Sequence, residues 1–161
     1  MKKFNPLFKK ELINMLNSAP FFTNLSIVIE DIDVGYCVAT IDVKEKHLSP
    51  YGAVQGGVYS SIIDAVSYFA PYAELPEDVG LITIDVNVNN VGTIRNGKLI
   101  ARGERIKAGR SICLSQATVT DEYGKILAYG SSKLLVTRGL QIISQMAGYP
   151  ANMPPKFLND G

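Results

Sequence analysis

The chain of 161 residues contains a single histidine, His47, and two cysteines, Cys37 and Cys113. That scarcity excludes several chemistries. A zinc site needs clustered thiolates and imidazoles, and no Cys-x-x-Cys or Cys/His grouping is present. A Ser-His-Asp or Cys-His relay would have to run through His47, and no nucleophile motif accompanies it. The two cysteines lie far apart in alternating apolar runs, which predicts buried thiols in a reducing compartment. No apolar run reaches the roughly 18 to 20 residues of a membrane span. The N-terminal stretch Met1-Lys2-Lys3-Phe4-Asn5-Pro6 starts basic but continues as a mixed, helix-like sequence through Glu11, so it does not read as a secretion signal. A cytoplasmic protein with no membrane partner is expected. Excess charge is lacking too: 16 Lys and Arg against 15 Asp and Glu leave a formal net charge of +1. Nucleic acid, which calls for a strongly basic face, is not an expected partner.

What is present fits one globular domain: 47% apolar and 19% charged residues, in a chain long enough to bury a core without staples. Pro6 to Asn17 reads as a helix with Leu7, Phe8, Leu12 and Leu16 on one stripe and Pro6 in its first turn, ended by Ala19-Pro20. Ser26 to Asp33 and Tyr36 to Lys44 read as two strands joined at Val34-Gly35, with a slip of phase near Ala39. Four more strands are predicted over Leu81 to Val91, Leu99 to Lys107, Arg110 to Thr120 and Ile126 to Thr137. In the first of these, Ile82, Ile84, Val86 and Val88 alternate with Thr83, Asp85, Asn87 and Asn89. Short turns such as Asn96-Gly97 imply antiparallel neighbours. The result is an α+β fold: a single domain over residues 1–138, with an antiparallel sheet of about six strands around one long helix. Residues 139–161, with Gly148, Pro150, Pro154 and Pro155, read as an irregular or disordered tail beginning with a helical turn at Leu140 to Met146.

The long helix, predicted over Gly57 to Ala70, carries the chemistry. At about 100° per residue, Val58, Ile62, Ala65, Val66 and Phe69 form an apolar face. Gly57, Ser60, Ser61, Asp64, Ser67 and Tyr68 form the other. Solvated helix faces are usually rich in Lys, Glu and Arg. A face of small residues with one acid at its centre suits a subunit interface or a substrate tunnel better. Gln55-Gly56-Gly57 also leaves backbone N–H groups open at the positive end of the helix dipole, where they can hold a developing oxyanion.

The run His47-Leu48-Ser49-Pro50-Tyr51-Gly52-Ala53-Val54-Gln55-Gly56-Gly57, followed by Asp64, resembles the hotdog-fold thioesterases of the phenylacetate-degradation (PaaI-like) and 4-hydroxybenzoyl-CoA thioesterase group. The pattern of that group is Asn-x-x-Gly-x-x-His-Gly-Gly, with an acid seven residues beyond the second glycine. Gly52, Gly56, Gly57 and Asp64 match its spacing, and the resemblance covers roughly residues 20 to 137. It implies a hotdog fold assembled as a homodimer or homotetramer, with active sites between subunits. Asp64 is then the general base or nucleophile, the Gly56 N–H polarises the thioester carbonyl, and Thr83 places the water or the acid. Gly57 and Gly52 belong to the substrate loop. Two positions depart from the pattern: Ser49 replaces Asn, and Gln55 replaces His with a donor that cannot titrate near neutrality.

The expected activity is hydrolysis of an acyl- or aryl-CoA thioester, with no metal or redox cofactor and with coenzyme A entering only as part of the substrate. The alternative is a hotdog protein that binds acyl-CoA with little or no turnover. A hydratase pairing His47 with Asp64 stands further back, because the spacing does not resemble that motif. Lys107, Arg110 and Lys133 are candidate contacts for the coenzyme A phosphates. His47 is a candidate for the site mouth, although a plain loop histidine is the simpler reading. Asp85 and Asn87 are expected beside Thr83, and Pro71 to Val79 is a candidate rim.

Overall fold

The computed structural model describes residues 2–159. In chain order the elements are β1 (Lys3–Phe4), α1 (Pro6–Asn17), α2 (Pro20–Leu25), β2 (Val28–Asp33), β3 (Tyr36–Asp42), α3 (Gly56–Phe69), β4 (Val79–Asn90), β5 (Lys98–Ala108), β6 (Ile112–Thr120), β7 (Ile126–Arg138) and β8 (Phe157–Leu158). Six antiparallel strands form one sheet in the order β2-β3-β5-β6-β7-β4, and α3 lies across its inner face. No helix among the described residues is long and apolar enough to cross a membrane.

Helix α1 starts where expected because Asn5 caps it. The Asn5 Oδ1 accepts from the Leu7 N–H at 3.0 Å, and Pro6 occupies the first turn. Helix α2 was not anticipated. Pro20 does not merely end α1; its fixed φ also opens a second short helix. Both cysteines are free and buried.

Helix α3 rests on the sheet through Gly103 of β5. A Cβ there would fall 2.2 Å from the Val66 carbonyl oxygen of the helix. Both partners are backbone, so neither gives way cheaply. We expect Gly103→Ala to destabilise the fold by about 3 kcal/mol, read as a fall in the denaturation midpoint with the slope unchanged.

Two bulges correct the strand phases. The slip expected near Ala39 lies instead in β2, where the register shifts between Ile29 and Asp31; in β3, Cys37, Ala39 and Ile41 alternate regularly into the core. The second bulge falls in β4. Thr83 pairs with Leu134 but Asp85 already pairs with Lys133, so Ile84 is the extra residue. Leu81 and Thr83 therefore share the helix-facing side with Val86 and Val88, and Ile84 is left 52% exposed. Asp85 and Asn87 turn to the outer face, contrary to their expected place beside Thr83. Ser67 also departs from expectation, being fully buried against the sheet.

Over its described residues, 139–159, the tail keeps mostly irregular backbone, yet it is packed onto the domain rather than disordered. Its backbone crosses β4 at Gly80, turns through a short 3-10 helix at Ile143–Gln145, and ends with β8 paired to β1. Lys156 fixes the far end. Its side chain is 1% exposed, and its Nζ donates to the carbonyls of Tyr72 at 2.7 Å and Leu75 at 2.6 Å. Burial pushes its pKa down to about 7. The expected rim at Pro71 to Val79 is likewise pinned. Tyr72, Ala73 and Leu75 are buried, and Glu74 takes a two-pronged ion pair from Arg105 at 2.7 and 2.9 Å.

Candidate active site

Asp64 sits two turns into α3, half-buried, in the wall of a cavity of about 590 Å³. Phe22, Ala65, Phe69, Leu140 and Met146 supply apolar walls, and Asp64 is the only charged lining residue among the described residues. The bulge in β4 aims Thr83 at the acid: its Oγ1 donates to Asp64 Oδ1 at 3.3 Å. Burial raises the Asp64 pKa above the ordinary carboxylate range, and the Thr83 hydrogen bond draws it partly back. Such a carboxylate holds protons more avidly than one in water, which suits a general base. The neighbouring Tyr68 hydroxyl is already committed, donating to the Leu81 carbonyl at 2.7 Å, and burial pushes its pKa up to about 12.

Thr83 gives a pH test. Activity that needs ionised Asp64 must fall as pH drops through the raised pKa. Thr83→Val removes the bond that favours the ionised form, so the acid limb of kcat/KM is expected to move to higher pH. An unmoved limb would separate Thr83 from the acid.

The N-terminus of α3 is built by the loop before it. His47 is fully buried: its Nδ1 accepts from the Lys44 N–H at 2.9 Å, and its Nε2 donates to the Leu25 carbonyl at 2.6 Å. Both nitrogens are engaged by backbone groups, one in the loop and one at the end of α2, so His47 neither lines the site mouth nor serves a relay. Its carbonyl accepts from the Gln55 N–H at 2.8 Å, which sets Gln55 extended (φ −62°, ψ 137°) ahead of the first helical turn. Ser49 and Gly52 form a turn in the same loop. The Ser49 Oγ accepts from the Tyr51 N–H at 3.2 Å, and Gly52 adopts φ +78°. Above Gly52, Arg95 Nη1 would lie 2.8 Å from an added Cβ and donates to the Tyr51 carbonyl at 3.1 Å. The Gln55 side chain is exposed. Gly56 passes close to Asn90, whose Nδ2 would lie 3.0 Å from an added Cβ, while a Cβ on Gly57 would meet nothing within 4 Å.

The structure thus groups the expected residues into two places. Asp64 and Thr83 meet at the cavity. Ser49, Gly52, Gln55, Gly56 and Gly57 gather at the helix start. Eight residues separate Gly56 from Asp64, and at 1.5 Å of rise per residue that is about 12 Å along the axis. One chain cannot hold both groups within reach of a single carbonyl. The basic candidates join neither place. Lys107 and Arg110 are exposed near the β5–β6 turn, and Lys133 lies on the outer sheet face, 3.2 Å from Asp85. No cluster of metal-ligating side chains forms among the described residues.

Sequence reasoning missed the cavity walls Phe22, Leu140 and Met146. The Ala19-Pro20 break hid α2, although Pro at a first helical turn was a usable sign. The apolar spacing of Leu140, Ile143 and Met146 was visible, but nothing in it said what it would pack against.

No family model matches the chain. Among solved structures it is similar to a thioesterase from Haemophilus influenzae, with 28% identity and a TM-score of 0.75, covering 81% of this chain and 91% of that one. A phenylacetic acid degradation-related protein from Ralstonia eutropha shares the fold at 23% identity and a TM-score of 0.67, covering 76% and 96%. Among curated relatives, the 1,4-dihydroxy-2-naphthoyl-CoA hydrolase of Listeria monocytogenes is 24% identical over 114 residues, 71% of this chain and 93% of the relative. The six-stranded antiparallel sheet wrapped around one long helix is the hotdog fold that these thioesterase structures share. Those relatives and neighbours are named as thioesterases, putative esterases or a CoA hydrolase, which supports a thioester hydrolase.

Proposed function

We propose that the protein hydrolyses acyl- or aryl-coenzyme A thioesters to free acid and thiol, at sites shared between two subunits. The observation that carries this reading is Asp64: a half-buried carboxylate with a raised pKa, held by Thr83 in an apolar cavity that lacks any oxyanion donor from its own helix start.

The partner subunit supplies that donor. Two features support pairing. Strand β4 is an edge strand of 12 residues, and so long an unpaired edge invites a second copy. Gly57 faces open space, although glycine in a helix is less stable than alanine by roughly 0.5–1 kcal/mol; close approach by another surface explains it. A two-fold pairing sets the Gly56 N–H of one subunit against Asp64 of the other. Water lies between the acid and the thioester. Asp64 takes its proton as the oxygen bonds to the carbonyl carbon, and the Gly56 N–H donates to the oxyanion. The carbon–sulfur bond then breaks, and the thiolate leaves and takes up the proton. Direct attack by Asp64 would instead expel the thiolate to form an acyl–aspartyl anhydride, and water attacking its aspartyl carbon would leave ¹⁸O from labelled water in the aspartate after one turnover. The chemistry uses only a carboxylate, a hydroxyl and a backbone N–H.

The test is thiol release from a panel of acyl-coenzyme A substrates. Release that saturates with substrate supports hydrolysis. Tight binding of the panel with no thiol release would favour the acyl-CoA-binding alternative.

A further inference from the structure

We infer that residues 139–146 of the tail form a fixed selectivity wall that admits neutral, apolar acyl groups beside Asp64 and turns away acyl groups ending in a carboxylate. The inference rests on the proposed thioester chemistry and adds the substrate class.

The wall is built rather than merely nearby. It is seated by Gly80 of β4, where an added Cβ would lie 2.0 Å from the Leu140 carbonyl oxygen and 2.5 Å from that of Gln141. Gln141 takes φ +54°, a left-handed conformation that non-glycine residues hold only when their surroundings enforce it. Thr137 Oγ1 donates to the Leu140 carbonyl, Gln145 Nε2 donates to the Gly139 carbonyl at 2.9 Å, and Gln145 Oε1 accepts from the Ile142 N–H at 3.3 Å. Further along, the tail is clipped by buried Lys156 and by Asn5, whose Nδ2 donates to the Pro155 carbonyl at 2.7 Å. A segment held at both ends presents Leu140, Ile142 and Met146 to the cavity as fixed surfaces, which Phe22 and Phe69 also line.

The chemistry of the lining sets the class. A volume of about 590 Å³ is that of an ordinary small-molecule site, large for an acetyl group alone. Among the described residues of this chain no Lys or Arg lines it, and the one charge they bring is the carboxylate of Asp64. A carboxylate-terminated acyl group would enter an apolar space unpaired and beside a like charge.

Two experiments test the wall. Gly80→Ala dislodges it without altering any cavity side chain. The expected result is a fall of about tenfold or more in the ratio of kcat/KM for octanoyl- over acetyl-coenzyme A, since each methylene in a fitted apolar pocket is worth 10- to 200-fold. Native protein should also prefer octanoyl- over succinyl-coenzyme A. An unchanged ratio in Gly80→Ala, or succinyl turnover matching octanoyl, overturns the inference. The second experiment needs no turnover. The chain has no tryptophan, so Met146→Trp places a single indole in the wall. Its emission is expected to shift with octanoyl-coenzyme A and not with coenzyme A alone, and to lose that response when Gly80→Ala is added. An equal response to coenzyme A alone overturns the wall. Absence of thiol release from every substrate overturns the hydrolase reading, and the indole titration still decides the wall.

Discussion

Asp64→Asn is expected to lower kcat by roughly a hundredfold to ten-thousandfold, the usual worth of a positioned general base. The amide keeps the shape of the carboxylate and still accepts from Thr83 Oγ1, so the cavity should stay intact. Stability distinguishes lost chemistry from lost structure. Because burial raises the Asp64 pKa, the native state binds its proton more tightly than the unfolded state. Native stability therefore falls as pH rises from the unfolded pKa through the native one, and at neutral pH the ionised group is a net cost. Removing the charge should leave the melting temperature equal or higher. A variant that is inactive and no less stable marks Asp64 as functional; one that is stable with full turnover removes it from the mechanism.

Gly56→Pro is expected to cost roughly a hundredfold to a thousandfold in kcat, the usual loss for one oxyanion donor. The substitution is unusually clean here. Proline removes the N–H but suits the first turn of a helix. Gln55 before it already holds φ −62° and ψ 137°, the extended geometry that a residue ahead of proline prefers. The nearest atom to an added Cβ is the Asn90 Nδ2, the far end of a side chain. Circular dichroism and the melting temperature should stay close to native. Gly56→Ala retains the N–H and should keep most activity, which separates loss of the donor from crowding.

The elements that carry regular periodicity were legible in the sequence. The boundaries of α1 matched, and the long helix began and ended within a residue of its expected span. All six sheet strands appeared in order. Asp64 and Thr83 were legible as well, one from the composition of its helix face and the other through the family resemblance. The bulge at Ile84 was not: one extra residue leaves an alternating pattern intact to the eye while turning Asp85 and Asn87 to the opposite face. The tail was illegible for another reason. A lysine ordinarily marks solvent, and here Lys156 is buried because two backbone carbonyls and the Tyr72 ring, 4.0 Å away, receive it. His47 was hidden in the same way, since its partners are backbone groups that no side-chain pattern announces.

The central claim is that each site joins Asp64 of one subunit to the helix start of the other. Co-expression of Asp64→Asn and Gly56→Pro chains tests it most directly. In a mixed dimer, one site carries both intact groups and the other carries neither. With random pairing about half the dimers are mixed and each has one working site, so the mixture should regain roughly a quarter of native thioesterase activity. Activity no greater than the sum of the two separate variants, with mixed dimers demonstrably formed, would contradict the shared site.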